Sequence, residues 1–180
     1  MTHSPTARKS SSRTTKMRKS SQNVVSKSVP MFDGFKRIML PVDFSEHYDR
    51  AAEYAAWVAR VSKAMVHLVH VVSNPADAVY EPEEQPHWVM VAHAQEKATV
   101  LLEQAGKRCL PPDCPCEVHV LVGEPYEKLV EIARTLRPDL IVMSTHGRGG
   151  VAHLVMGSVA EKIVQHAPCP VLVVRRKAHE

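Results

Sequence analysis

Residues 139–174 read "DLIVMSTHGRGGVAHLVMGSVAEKIVQHAPCPVLVV". The runs 139–143 and 170–174 are short, apolar and rich in β-branched residues, which is typical of strands covered on both faces. Residues 158–166 have a helical pattern, and Pro168 ends it. A strand, a helix and a second strand in this order form the repeating unit of a parallel sheet.

The same alternation extends back to residue 36. Three further apolar runs lie at 36–42, 65–72 and 117–122. Helical stripes separate the strands, at Ala51, Ala55, Val58 and Ala59; at Ala94, Ala98, Leu101, Ala105 and Cys109; and at Leu129, Ile132, Ala133 and Leu136. We expect Ser45 to cap the first helix and Gly106 to fray the second. The predicted fold is α/β, an open doubly wound five-stranded parallel sheet with helices on both faces.

Charge separates the chain into a tail and a domain. The chain carries a net charge of +4, but residues 1–30 hold seven basic side chains and no acidic one, which leaves the rest mildly acidic. We expect residues 1–34 to be a basic, disordered tail, residues 35–176 the domain, and residues 177–180 a short C-terminal tail. The N-terminal tail is a solvated extension, an organellar transit peptide or a segment that touches polyanions. The domain itself offers no nucleic-acid surface, and no apolar run is long enough for a membrane span.

The four cysteines do not form a known metal or redox motif. Cys114 and Cys116 are spaced wrongly for a CxxC pair, although His119 follows closely. Cys109, Cys114 and Cys116 are thus either loop and strand-entry residues or, with His119, part of a metal site. We expect reduced thiols and a cytoplasmic location.

The carboxyl ends of the strands are the expected binding edge. In doubly wound sheets ligands bind there, where the strand order reverses. The stretches "PVDFS" (41–45), "HVVSN" (70–74) and "MSTHGRGG" (143–150) should converge at this edge. Asp43 can accept hydrogen bonds from ribose hydroxyls or an adenine amino group; the alternative is that it satisfies the start of the next helix.

The start of the last helix predicts an anion site. "SVAE" (158–161) has the pattern of a capping box, with Ser158 as N-cap and Glu161 three residues on. A helix N-terminus that faces a glycine-rich turn binds anions, and Gly147, Gly149 and Gly150 supply such a turn, with Arg148 adding charge. The alternative is an ordinary capped helix after a flexible loop.

From Phe35 to Arg175 these residues resemble the universal stress protein family. Its ATP-binding members carry G-x2-G-x9-G-[ST] after the fourth strand, and this chain has Ser144-x2-Gly147-x9-Gly157-Ser158. The surrounding "IMLPVD" (38–43), "LVHVV" (68–72), "THGRGG" (145–150), "GSVAEKIV" (157–164) and "CPVLVV" (169–174) are also typical. The resemblance implies a Rossmann-like fold of the adenine-nucleotide alpha hydrolase type.

The resemblance also implies a site and an assembly. Its nucleotide-binding positions are Pro41, Val42, Asp43, Val71, Met143, Ser144, Gly147, Arg148, Gly157, Ser158 and Val159. It implies ATP, with Mg²⁺ or Mn²⁺ held by the phosphates and by no protein side chain. It further implies a homodimer formed through the last strand, Val171, Leu172, Val173 and Val174. Ser144 stands where the family has glycine, which costs about 1 kcal/mol if the position needs a positive φ and little if it needs only a small side chain.

Two classes of function follow. The first is an ATP-binding regulatory module of the stress response, whose protein partner or oligomer changes with the nucleotide. The second is a nucleotide-free scaffold or interaction factor with the same fold, in which Ser144 marks the loss of binding. No P-loop motif and no nucleophile–base pair stands out, so we expect at most slow ATP hydrolysis.

Overall fold

We describe the chain with a computed structural model, which covers Met1 and residues 33–45, 48–73, 86–145 and 156–175. The chain divides into two units, Met1–Phe32 and Asp33–Glu180, and the helices and strands below all belong to the second. The predicted tails, residues 1–34 and 177–180, lie outside the description except for Met1, Asp33 and Gly34.

Strands and helices alternate along the described residues. They are β1 (Arg37–Pro41), α1 (Tyr48–Ser62), β2 (Met65–Val72), α2 (His87–Cys109), β3 (Cys116–Val122), α3 (Pro125–Leu136), β4 (Leu140–Ser144), α4 (Ser158–His166) and β5 (Val171–Val174). None of the described helices is both long and apolar enough to cross a membrane.

The five strands form one parallel sheet in the order β3-β2-β1-β4-β5. The chain builds outward from β1 to β3 and then crosses back to β4 on the other side of β1, so the strand order reverses between β1 and β4. This arrangement confirms the predicted doubly wound α/β fold. It places the carboxyl ends of β1 and β4 side by side.

Two apolar cores cover the two faces of the sheet. Ile38, Leu40 and Leu68 pack toward α1 and α2, whereas Met39 and Ile141 pack toward α3 and α4. Successive strand residues point to opposite faces, so a strand covered on both sides must be apolar throughout. Full burial of a leucine side chain contributes about 1.5–3 kcal/mol to stability.

One prediction about helix α1 stays a prediction, and one about helix α2 is wrong. The Tyr48 N–H donates to the Ser45 carbonyl over 3.3 Å, but residues 46 and 47 lie outside the described residues, so the capping of α1 by Ser45 is not tested. In α2, Leu102 is fully buried and Leu101 is 38% exposed, the reverse of the predicted stripe. The buried positions Ala98, Leu102 and Ala105 follow the i, i+4, i+7 spacing of one helix face.

Gly106 is a packing residue and does not fray the helix. It is buried within α2, which continues to Cys109. A Cβ atom at this position would lie 3.1 Å from Leu68 Cδ1 and 3.5 Å from Cys116 Sγ. The absence of a side chain therefore lets α2 lie close against β2 and β3.

Candidate functional site

The candidate site lies at the carboxyl edge of the sheet, around the reversal of strand order. Pro41 is the last residue of β1, Val71 is the next to last of β2, and Ser144 is the last of β4. The backbone N–H of Val42 donates to the carbonyl of Val69 over 2.8 Å, which extends the pairing of β1 and β2 by one residue. The segment after β1 therefore starts from a fixed position.

Asp43 is oriented by the turn that follows it. Its Oδ1 accepts a hydrogen bond from the backbone N–H of Ser45 over 3.0 Å and another from the Ser45 hydroxyl over 2.8 Å. An aspartate that binds the N–H group two residues on forms an Asx turn. The carboxylate is half-buried at the edge of the sheet, so the turn presents it in a defined orientation.

His70 and Phe44 support this turn, and neither was predicted from the sequence as a site residue. His70 Nδ1 lies 2.6 Å from the carbonyl oxygen of Val42, so this nitrogen must carry the proton that it donates. The ring of Phe44 lies 4.5 Å from the ring of His70, and Phe44 has a φ of 58°. An imidazole within an otherwise apolar strand was the signal that could have identified this contact.

Ser144 shows no strain. It pairs with Val174 at the end of β4, and it is absent from the described residues that have a positive φ, which besides glycine are Phe44, Lys63 and Arg137. Serine is therefore tolerated by the backbone at the position where the resemblance predicts glycine. Of the two outcomes considered above, the structure supports the one that needs only a small side chain.

A hydrogen bond joins the two ends of the loop between β4 and α4. The backbone N–H of Thr145 donates to Val174 over 3.1 Å, and the Thr145 carbonyl accepts from the N–H of Gly157 over 2.6 Å. Thr145 is buried, so this connection is shielded from water. The start of α4 is thereby fixed beside the end of β4. The predicted phosphate residues Gly147 and Arg148 lie outside the described residues.

The N-cap of α4 is Gly157, so the prediction of Ser158 as N-cap is wrong. Gly157 has an extended conformation and makes no side-chain capping bond; the N–H of Glu161 donates to the Gly157 carbonyl over 3.0 Å, which makes Ser158 the first helical residue. The first N–H groups of a helix have no partner within it. The N–H groups of Ser158 and Val159 are among these first groups, and such groups at a helix start can bind an anion.

The other predicted positions contribute backbone more than side chains. Met143 is 6% exposed and packs with Ala160 and Ile163, and Val42 is buried in the core on the opposite face. Val71 is half-buried against the same core as Met143. The edge thus combines one carboxylate, Asp43, with the backbone groups at the ends of three strands and one helix. This combination suits a ligand with hydrogen-bond donors at one end and anionic groups at the other.

The universal stress protein family matches residues 34–175. The chain belongs to this family. The universal stress protein MJ0531 of Methanocaldococcus jannaschii is 32% identical over 147 residues, which cover 81% of this chain and 85% of the relative. A universal stress protein of Thermus aquaticus is 36% identical over 141 residues, which cover 78% of this chain and 99% of the relative.

Solved structures of the family share the fold. The structure of MJ0577, also a universal stress protein of Methanocaldococcus jannaschii, is 28% identical with a TM-score of 0.69, and the match covers 80% of this chain and 98% of that one. A universal stress protein in complex with cAMP is 22% identical with a TM-score of 0.53, over 79% of this chain and 98% of that one. The fold and the family are therefore established on sequence and on structure.

Proposed function

We propose that this universal stress protein binds an adenine nucleotide, ATP with Mg²⁺ or Mn²⁺, and acts as a regulatory module. The observation that carries the proposal is the fixed start of α4: the first helical N–H groups, at Ser158 and Val159, follow Gly157, which is bonded to the end of β4 on the edge that also holds Asp43. Oriented N–H groups and the positive end of the helix dipole attract phosphate.

The residues divide between the two ends of the nucleotide. Asp43 accepts hydrogen bonds from the ribose hydroxyls or the adenine amino group, and Pro41, Val42 and Val71 surround the adenosine. Met143 and Ser144 lie near the ribose, and Gly157, Ser158 and Val159 bind the phosphates together with Gly147 and Arg148. The divalent ion neutralises the phosphate oxygens when bound, and no protein side chain holds it.

Two findings favour a nucleotide-binding module over a nucleotide-free scaffold. Ser144, the one departure from the motif, has no positive φ and therefore gives no steric reason for a loss of binding. In addition, a universal stress protein of the same fold binds cAMP, which is an adenine nucleotide. We propose binding and not hydrolysis as the function, because no nucleophile–base pair stands out in the sequence.

We further propose that the module is a homodimer paired through β5. This strand lies at one end of the sheet, and its residues Val171, Leu172 and Val173 are only half-buried. An apolar edge strand tends to pair with another chain, and a two-fold axis lets two copies of the same strand pair with each other.

The proposal is tested by calorimetric titration of ATP·Mg²⁺ into the wild type and into Asp43→Asn. We expect the variant to bind at least about tenfold more weakly, because a hydrogen bond to a charged group contributes about 1.5–3 kcal/mol. Asp113→Asn is the matched control, since Asp113 is an exposed carboxylate in the turn before β3, at the opposite edge of the sheet. If Asp43→Asn bound ATP with the affinity of the wild type, Asp43 would not be part of the site. If the wild type bound no ATP, the nucleotide-free scaffold would be the favoured function.

A further inference from the structure

A second cluster of polar side chains lies on β2 and β3. His67 is the third residue of β2 and pairs in register with Glu117, and His119 follows Glu117 by two residues on β3. Residues in register on neighbouring strands, and residues two apart on one strand, share a face of the sheet. All three side chains therefore point to the face that carries α3, near the amino ends of the strands and away from the nucleotide edge.

The spacing of their donor atoms fits a metal ion. His67 Nδ1 lies 3.1 Å from His119 Nε2 and 3.4 Å from Glu117 Oε2, and the last two atoms are 3.8 Å apart. Tetrahedral ligands at about 2.0–2.2 Å from zinc are separated by about 3.3–3.6 Å from one another. The three separations bracket this range, so small shifts of the side chains place the three atoms on one triangular face of a tetrahedron.

The cluster is open on one side and buried on the other. The side chain of His67 is 5% exposed, that of His119 22% and that of Glu117 55%. Glu117 is the most exposed member of the cluster, so an ion can reach the site from the surface on that side. A solvent molecule can fill the fourth coordination position of the ion. His67 anchors the site within the sheet, so the position of its nitrogen is set by the fold.

The buried ring of His67 limits the strength of the site. Its Nε2 is buried and has no hydrogen-bond partner among the described residues. Metal-bound histidines usually have such a partner, so we expect a weaker site than in a dedicated zinc protein.

We propose that His67, Glu117 and His119 bind a divalent transition-metal ion, with Zn²⁺ as the best fit. Two imidazoles and one carboxylate favour zinc and its neighbours over Mg²⁺, which distinguishes this ion from the one that accompanies the nucleotide phosphates. The ion would tie the edge strand β3 to β2 and stabilise the folded chain by its binding.

The proposed site differs from two expectations from the sequence. For the ion at the phosphates no side-chain ligand was expected, and the alternative metal site combined Cys109, Cys114 and Cys116 with His119. Cys116 precedes Glu117 on β3 and therefore faces α2, where its Sγ lies beside Gly106. Among the described residues, the one group of three potential ligands that come together contains no cysteine.

The test is zinc titration of the full-length, chelator-stripped protein without nucleotide, against a chromophoric competitor. We expect one equivalent to bind to the wild type and to raise its melting temperature. Glu117→Gln and His119→Gln should each weaken binding at least about tenfold and abolish the shift. Because Glu117 is exposed, its variant should fold normally, which circular dichroism without metal checks. His93→Gln, at an exposed histidine of α2, is the control and should behave as the wild type.

A cobalt titration identifies the ligand atoms. Co²⁺ at this site should give the visible bands of a tetrahedral ion without the charge-transfer band of a cysteine ligand. Wild-type affinity in Glu117→Gln and His119→Gln, a cysteine charge-transfer band, or no stoichiometric zinc in the wild type would each overturn the proposal. ATP binding is measured separately, so a failure here leaves the nucleotide proposal intact.

Discussion

At the scale of single residues, Ser144 separates the two readings of the family motif. A glycine that supplies a positive φ cannot be replaced by serine without strain, whereas a glycine that only keeps space free can. Ser144 ends β4 and pairs with Val174 without a positive φ. The motif position is therefore a strand terminus in this chain, and serine fits there.

We predict that Ser144→Gly changes ATP affinity by less than about threefold and lowers stability by about 0.5–1 kcal/mol, because glycine in a strand loses more conformational entropy on folding. Titration calorimetry and urea unfolding of the same preparation measure both effects. If the glycine variant instead bound ATP more than about tenfold more tightly, the serine side chain would obstruct the phosphates, and the proposed tolerance would be wrong.

At the scale of secondary-structure elements, the strands and the extent of α4 were predictable from sequence, and the residue that caps α4 was not. Every strand lies within one residue of its predicted bounds at either end, because apolar β-branched runs between helical stripes leave little choice. Ser158 has the sequence of an N-cap, yet α4 is capped by Gly157. The bond between the Thr145 carbonyl and the Gly157 N–H fixes this cap, and no local sequence pattern encodes that bond.

The packing of α2 makes a prediction at this scale. Gly106→Val should lower the free energy of unfolding by about 1–3 kcal/mol, because the added side chain meets Leu68 and must push α2 away from the sheet. Gln104→Val, at an exposed position of the same helix, is the control for helix propensity and should cost only a few tenths of a kcal/mol. Urea unfolding compares the two. Equal effects would show that α2 does not depend on close approach at Gly106.

At the scale of the whole molecule, sequence predicted the fold and which residues lie at the carboxyl edge of the sheet, but not the second polar cluster. The alternation of strands and helices, with right-handed crossovers, restricts the topology to a doubly wound sheet. The positions of Asp43 and Gly157 at its carboxyl edge follow from that topology. His67 and Glu117 are 50 residues apart and become neighbours only through the register of β2 with β3, which the sequence does not specify.

The proposed dimer depends on the open edge of β5. The Ile141 N–H donates to the Pro170 carbonyl, and the Thr145 N–H donates to the Val174 carbonyl. Backbone groups of successive strand residues point to opposite sides of the strand, so those of Val173 point away from β4. Val173→Pro removes that outward N–H group without breaking a bond to β4. We predict that sedimentation velocity gives a dimer for the wild type and a monomer for Val173→Pro, with unchanged circular dichroism.

Val61→Ser is the control for this experiment, because Val61 is 66% exposed on α1 and lies on no strand edge. Its sedimentation should match that of the wild type. A dimeric Val173→Pro would mean that the copies associate through another surface, and a monomeric wild type would exclude the dimer.

The central claim is that the start of α4 binds the phosphates of an adenine nucleotide, and one measurement tests it most directly. Protein purified without added nucleotide is denatured, and mass spectrometry identifies the small molecules released from the wild type and from Gly157→Asp. An aspartate at the N-cap satisfies the helix but repels phosphate, so the variant should fold at least as stably as the wild type. We predict ATP or another adenine nucleotide from the wild type and none from the variant. Equal nucleotide from both proteins, or an empty wild type that also fails to bind added ATP with Mg²⁺, would contradict the account.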